Sequence, residues 1–425
     1  MLGGGLGTER LPKLGAYPVG LGRAQPVDGD DTLDHVGEHG HPRPAPEAHR
    51  DDAPAFVPAQ RAVDPDEPGW APVTGCHQAQ PASLVGEDSG GFGEQDGRGL
   101  HAPSMMTPGC YTPRPTIGGV ELNPAQQSVI ALLGKDAARA ALPDNLAEAL
   151  REELEAALTE IATDIPEGQL LVVSKHPLKT IHQCEAHHLA GDGDFEWSPA
   201  TAAGVVAHRA IELMVSWRGQ PVPGDLVDET LARIADDDRA PVSRYLQGIT
   251  EYDRADLRNR AVNRVTQFQD CFPPIKSTWL PRAESRTYLD HPSGRVRLVS
   301  KSDLTLGRPG ERVIIDLKTG YPADSHREDL RFYALLETLT LGVAPRKTAS
   351  YYLDAAKAHA EDVGEGVLRS ALRRTVDAVE RMVAVRFGGD EPHRSPGAHC
   401  MWCPLAKECE PGLAHLQQRA EADGW

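Results

Sequence analysis

Asp316 and Lys318 stand two residues apart at the polar end of a short apolar run, Val313, Ile314 and Ile315. The β-branched residues and the Thr319-Gly320 stop predict a buried strand. Residues two apart on a strand share a face. An acid and an amine therefore project side by side while Leu317 points the other way. Burying such a pair needs a reason. One reason is a salt bridge at a strand end. The other is hydrolytic chemistry, in which a carboxylate holds Mg²⁺ or Mn²⁺ and a lysine steadies the attacking water or a phosphate.

A second acid lies on the preceding strand. Residues 295–306 alternate, with Val296, Leu298, Ser300 and Ser302 on one face and Arg297, Val299, Lys301 and Asp303 on the other. His291-Pro292-Ser293-Gly294 and Arg308-Pro309-Gly310 are turn chemistry on either side. Before them, 277–280 and 283–289 read as extended, with Glu284 at their centre. The result is a three-stranded meander whose adjacent members carry Asp303 and Asp316. Two such carboxylates suit hard cations that want oxygen ligands, and the Leu317 carbonyl would complete the shell. Glu284 reads equally as a neighbour of that site or as an ordinary strand salt bridge.

Ser198-Pro199 opens a helix. It places His208 and Glu212 four apart on one face, either as a polar pair in solvent or with His208 at the edge of a metal site. Gly204 and the alanines around it would let another backbone approach closely. Near the C-terminus, His399-Cys400-Met401-Trp402-Cys403 continues to Cys409, giving Cys-x2-Cys-x5-Cys. That density points to metal. Cys184, at the end of a short helix predicted after Ser174, is available as the fourth thiolate. Zinc on three cysteines and His399, or an iron–sulfur cluster on four cysteines, both fit this spacing.

The frame follows from composition. The chain has 425 residues, 40% hydrophobic and 25% charged, enough for a sizeable core. No apolar run approaches a membrane span, and no basic-then-apolar leader opens the chain. Seven cysteines without such a leader suggest reduced thiols in a cytoplasmic protein. The net charge of −18 offers no global attraction for nucleic acid, which would have to bind in a local groove. Residues 1–115 are rich in Gly and Pro without apolar period and read as disordered, with Met105 or Met106 as an alternative start. Residues 116–168 read as a helical extension. It opens on Asn123-Pro124 in a segment that resembles the start of helicase motor domains. However, no phosphate-binding loop follows, since Gly134-Lys135-Asp136 is not one. Residues 169–412 form the main domain, and 413–425 a C-terminal helix or tail. Further elements are a helix over 142–163, a strand over 169–173, a helix over 327–341 with Tyr333 near its middle, a strand over 347–353 and an amphipathic helix over 363–386.

Together these features resemble the PD-(D/E)xK nuclease superfamily, and within it the RecB-type branch that carries a cysteine-clamped [4Fe–4S] cluster. The matches are Gly204, His208 and Glu212 on a helix, Asp303 on a strand, then Asp316, Lys318, Thr319 and Gly320. Cys184 with Cys400, Cys403 and Cys409 matches the arrangement of the cluster. The resemblance implies a mixed α/β, restriction-endonuclease-like core: a central mixed sheet flanked by helices, with a helical insertion and a C-terminal cysteine loop. It implies a Mg²⁺- or Mn²⁺-dependent deoxyribonuclease of exonuclease type, acting on single-stranded DNA or DNA with ends, in repair, recombination or defence. A helicase or repair complex would be its partner. It assigns His208, Asp303, Asp316 and Lys318 to catalysis and the metal, and the four cysteines to the cluster. It brings Tyr333, and Glu284 as a lesser candidate, near the DNA. In one departure, Asp329 stands where the branch has glutamine. The rival readings are an inactive nuclease fold serving binding or assembly, and a zinc-stapled protein in which Asp316 and Lys318 are a structural ion pair.

Overall fold

The computed structural model describes residues 116–117, 120–135, 141–191, 195–237 and 239–422. The reading of 1–115 as disordered lies outside the described residues. A minimal ladder pairs β1 (Thr116–Ile117) with β2 (Val120–Glu121), and α1 (Pro124–Leu133) follows. Asn123 caps α1: its side chain accepts from the Gln126 N–H while the Gln126 side chain accepts from the Asn123 N–H.

Six strands build the main sheet: β3 (Leu171–Val173), β4 (Arg282–Asp290), β5 (Val296–Leu306), β6 (Val313–Lys318), β7 (Lys347–Tyr352) and β8 (Lys357–Asp362). β4, β5 and β6 form the expected antiparallel meander. β4 runs along one whole edge of β5. The other edge of β5 is shared. β3 joins its start in parallel, Leu171 opposite Val296, and β6 joins its end, Leu304 opposite Ile315. Between those pairings the edge at 299–303 has no strand partner among the described residues. The sheet therefore forks just beyond the Leu304–Ile315 pair, with Asp303 next to Leu304 on one prong and Asp316 next to Ile315 on the other. β7 pairs parallel with β6 after the crossover helix α9 (Asp324–Leu341), and β8 closes the edge as a hairpin on β7.

Two apolar cores cover the two faces. One joins α2 (Leu146–Ala162), α3 (Lys175–Gln183), α9 and α10 (Glu365–Val383) to Val296, Leu298 and Ile314. The other joins α5 (Pro199–Ser216), which comes after the short α4 (Glu185–Ala190), with α6 (Pro223–Asp236), α7 (Pro241–Gly248) and α8 (Glu251–Cys271) to Leu304, Val313, Ile315 and Leu317. β6 thus alternates, and Asp316 shares its face with Ile314 toward α3 and α9. Leu146, Leu150, Leu154 and Leu158 of α2 recur every four residues and are all buried, each contributing about 2 kcal/mol. Within the predicted N-terminal extension, α2 therefore packs into the same core as α9 and α10, while Val129 and Leu133 of α1 pack into the other core.

Three local expectations change. Residues 277–280 are not a strand: Ser277–Trp279 form a 3-10 turn, and Leu280 is left-handed at φ 49°. β8 was not foreseen, because Lys-Ala-His-Ala-Glu-Asp has no β-branched residue and owes its conformation to its ladder with β7. The helix expected to reach Arg386 leaves α geometry at Val383 and ends through a π turn, Ala384–Gly388. No helix among the described residues is long and apolar enough to cross a membrane.

Candidate active site and a four-cysteine cavity

The fork in the sheet brings Asp303 and Asp316 together. Where the β5–β6 ladder stops, the Asp303 carboxylate takes over from the backbone: its Oδ2 accepts the Leu317 N–H at 2.7 Å. Leu317 therefore touches Asp303 through its amide, and its side chain packs in the α5–α8 core. Asp316 is fully buried, and neither carboxylate oxygen accepts a well-aligned hydrogen bond. Lys318 Nζ lies 2.6 Å from Asp316 Oδ2, which makes the two-residue spacing a real ion pair.

Other residues complete the site from both helix layers. Lys175, the first residue of α3, sets its Nζ 3.8 Å from Asp316 Oδ1. Asp329 of α9 lies 3.7 Å from Lys318 Nζ. His208 of α5 points its Nδ1 at Asp303 Oδ2, 3.7 Å away, so it faces the site and not solvent. Tyr333 is only 2% exposed. Its ring lies beneath the Lys175 ammonium, 5.8 Å from the centroid, so it forms part of the floor. Lys175 gave no signal in sequence beyond its place after Ser174, and Ser174 makes no side-chain cap on α3. Asp329 registered only as a departure from the expected glutamine.

Burial and charge set the protonation of these groups. Burial pushes the Asp316 carboxyl up, but Lys318 and Lys175 outweigh it and hold Asp316 below the usual carboxylate range. Burial favours neutral His208 against the pull of Asp303 and Asp316, and lowers its pKa. Burial pulls Lys175 down, yet Asp316, Tyr333, Asp303 and Asp329 raise it well above the ordinary lysine value. Asp329 is pushed up, chiefly by burial.

The loop behind Lys318 is fastened. Gly320 is left-handed at φ 96°, a conformation that glycine adopts freely. Its N–H donates to Asp354 Oδ2 at 2.9 Å, and Arg264 grips the same carboxylate at 2.6 and 3.1 Å. Gly204 admits the Thr319 side chain: a Cβ there would meet Thr319 Oγ1 at 3.2 Å. The close approach expected at Gly204 is thus by side chains, not by another backbone.

Glu284 sits in the β4–β5 register opposite Asp303, between the pairs Ala283–Leu304 and Ser285–Ser302. It is left-handed at φ 51°, unusual for a non-glycine strand residue. Its carboxylate contacts Lys301. Burial, with Asp303 and Glu212 nearby and Lys301 opposing, pushes it up to about 7.

The four cysteines meet at a distance in sequence. Cys184, the residue that ends α3, lines one cavity with Cys400, Cys403 and Cys409. All four are free thiols. Burial first, then the neighbouring sulfurs, push the Cys403 thiol up. Gly397 donates its N–H to Cys400 Sγ at 3.4 Å. His399 also lines the cavity, stacked on His187 with ring centroids 5.5 Å apart.

The donor set at the fork suits a hard divalent cation. It offers two carboxylates, one with both oxygens buried and lacking aligned hydrogen-bond donors, beside an imidazole kept neutral. Among the described residues no group of three or more His, Cys, Asp and Glu side chains is arranged to hold a metal ion as it stands. At the fork, Lys318 and Lys175 rest on the two oxygens of Asp316.

The central mixed sheet flanked by helices is consistent with a restriction-endonuclease-like nuclease fold. The model of the PD-(D/E)XK nuclease superfamily matches residues 172–410, and the chain belongs to that superfamily. Among solved structures, the chain is similar to the crystal structure of "Putative exonuclease" from Eubacterium rectale. The identity is 14% and the TM-score 0.36, over 55% of this chain and 86% of that one. It is also similar to SSO0001, at 14% identity and TM-score 0.24, over 49% and 96%. No curated protein matches the sequence.

Proposed function

We propose that this nuclease is a Mg²⁺- or Mn²⁺-dependent deoxyribonuclease of the RecB type, acting as an exonuclease on single-stranded DNA or DNA ends in repair, recombination or defence. One observation carries the reading: Asp303, Asp316, Lys318 and His208 converge at the fork of the sheet. A structural ion pair alone would not explain a neutral histidine and a second carboxylate at the same point.

A phosphodiester resists attack because its own charge repels a nucleophile. Asp303, Asp316 and His208 would hold the cation, with the Leu317 carbonyl as a further ligand. When bound, the ion supplies neutralisation of that charge and activation of water. Lys318, fixed between Asp316 and Asp329, would orient the water or meet charge developing on the phosphate. Held below the usual carboxylate range, Asp316 stays ionised. Asp329, set against Lys318, supports that lysine in place of the glutamine seen in the branch. Tyr333 would act from below, through Lys175.

The cysteine cavity supports a [4Fe–4S] cluster on Cys184, Cys400, Cys403 and Cys409. It would clasp α3 to the C-terminal loop. Zinc with His399 is the competing occupant. A helicase or repair complex is the partner proposed for this nuclease.

The test is cleavage of end-labelled single-stranded DNA by anaerobically purified protein, with and without Mg²⁺ or Mn²⁺, beside Asp316→Ala. Metal-dependent cleavage lost in the variant supports the reading. No cleavage by a folded protein that binds DNA turns it toward an inactive binding module. Iron and zinc analysis of wild type and Cys403→Ser decides the second site: four irons lost in the variant support the cluster, and zinc in their place overturns it.

A further inference from the structure

We propose that Lys175 is a second active-site lysine. It stands on Asp316 while the cation is absent, and turns to a non-bridging oxygen of the scissile phosphate once cation and DNA are in place. This rests on the nuclease reading above.

The geometry singles it out. Lys318 takes Asp316 Oδ2, and Lys175 lies nearest to the other oxygen, Oδ1, at 3.8 Å. Between them the two ammonium groups cover the carboxylate on which a divalent ion must land. The Tyr333 ring beneath Lys175 gives its cation a face to rest on. Unlike Lys318, whose side chain is 15% exposed, Lys175 is 40% exposed. It is therefore the one that can move toward a substrate.

Charge balance gives the reason to move. Asp303, Asp316 and Asp329 set three acids against the two lysines, Lys175 and Lys318. Adding a divalent ion leaves the site with surplus positive charge. Lys175 is then repelled from Asp316, and the phosphodiester is the anion that restores balance. Its mounting keeps the ammonium in reach. Lys175 is the first residue of α3, at the end where helix N–H groups favour anions. Nine residues on, a span of about 13 Å, the same helix ends at Cys184 in the cysteine cavity. The C-terminal clasp thus fixes the far end of the helix that presents the lysine.

The experiment compares wild type, Lys175→Met and Lys175→Arg as full chains. Mn²⁺ affinity is measured by calorimetry without DNA, and single-turnover cleavage at saturating Mn²⁺. Lys175→Met removes a competing cation, so Mn²⁺ should bind about tenfold more tightly. It also removes a phosphate partner, so cleavage should slow about a hundredfold. Lys175→Arg, which keeps the positive charge, should recover part of the cleavage lost in Lys175→Met and bind Mn²⁺ less tightly than Lys175→Met. A lysine that only pairs with Asp316 would also tighten Mn²⁺ binding when lost, but its loss would leave cleavage at saturating Mn²⁺ unchanged, so the slowed cleavage separates the two. Unchanged or weaker Mn²⁺ binding by Lys175→Met, or cleavage at the wild-type rate, overturns the assignment while wild type still cleaves. A wild type that neither binds Mn²⁺ nor cleaves overturns the nuclease reading itself, and Lys175 with it.

Discussion

Gly204→Ala tests whether the α5 face controls the position of Lys318. The added methyl would stand 3.2 Å from Thr319 Oγ1, 3.6 Å from its Cγ2 and 3.9 Å from Arg264 Nη1. The first distance is tight, so Thr319 must give by a few tenths of an ångström. It cannot give freely, because Gly320 behind it is tied to Asp354 and thence to Arg264. The displacement passes to Lys318, the adjacent residue. Alanine gains about 0.5–1 kcal/mol over glycine inside a helix, and overpacking costs about 1–3 kcal/mol. The expected net loss of stability is about 0–2.5 kcal/mol. Catalysis is more sensitive: a misplacement of about 1 Å can cost about a hundredfold, so a few tenths corresponds to about fourfold. Gly204→Val should cost more in both. The assay is single-turnover cleavage and thermal unfolding on the same preparations. A Gly204→Ala protein with raised Tm and an unchanged rate would refute the reasoning, since helix propensity would then be the whole effect.

Two further predictions concern stability. Arg312 and Glu337 form a buried pair at 3.0 Å that ties the start of β6 to α9, and burial pushes the Glu337 carboxyl up. Arg312→Met should cost about 3–5 kcal/mol by stranding that carboxylate, and Arg312→Met with Glu337→Met should recover most of it. Denaturant unfolding checks this, and equal loss in single and double variants would contradict it. His188 and His326 are both lowered to about 4, chiefly by burial. Their unfolded forms take up protons first as pH falls. Stability should therefore be intact above about pH 6.5, decline below it and reach its full loss below about pH 4. His188→Gln should flatten part of that decline in Tm against pH, and an unchanged slope would remove His188 from the account.

Much of the site was legible because its signals are local. The strand period put Asp316 and Lys318 on one face, and they form an ion pair. The capping signals Asn123-Pro124 and Ser198-Pro199 start helices where expected, both with capping boxes. The alternation from Val296 to Ser302 is the observed burial pattern of β5. The misses share one cause: they concern residues whose role comes from another element. Lys175 reads as the first residue of a short helix until α3 is laid against β6. Glu284 reads as the middle of a strand, yet its backbone is left-handed and it lies opposite Asp303. Tyr333, expected near the DNA, is buried beneath Lys175 in the floor of the site, a position that its place on α9 alone does not show.

By itself the sequence determined the strand pairings of the meander, the side of each strand that bears an acid, and the cysteine spacing. These depend on backbone periods and turn residues that act over a few positions. Only the tertiary structure decided that β3 and β6 share one edge of β5 and leave a fork at Asp303. It alone decided that both lysines rest on one carboxylate. It alone brought Cys184 to one cavity with cysteines more than two hundred residues later in the chain. Those meetings are set by how two apolar cores pack helices onto opposite faces of a single sheet, and a long-range packing choice leaves no periodic trace in the residues it brings together.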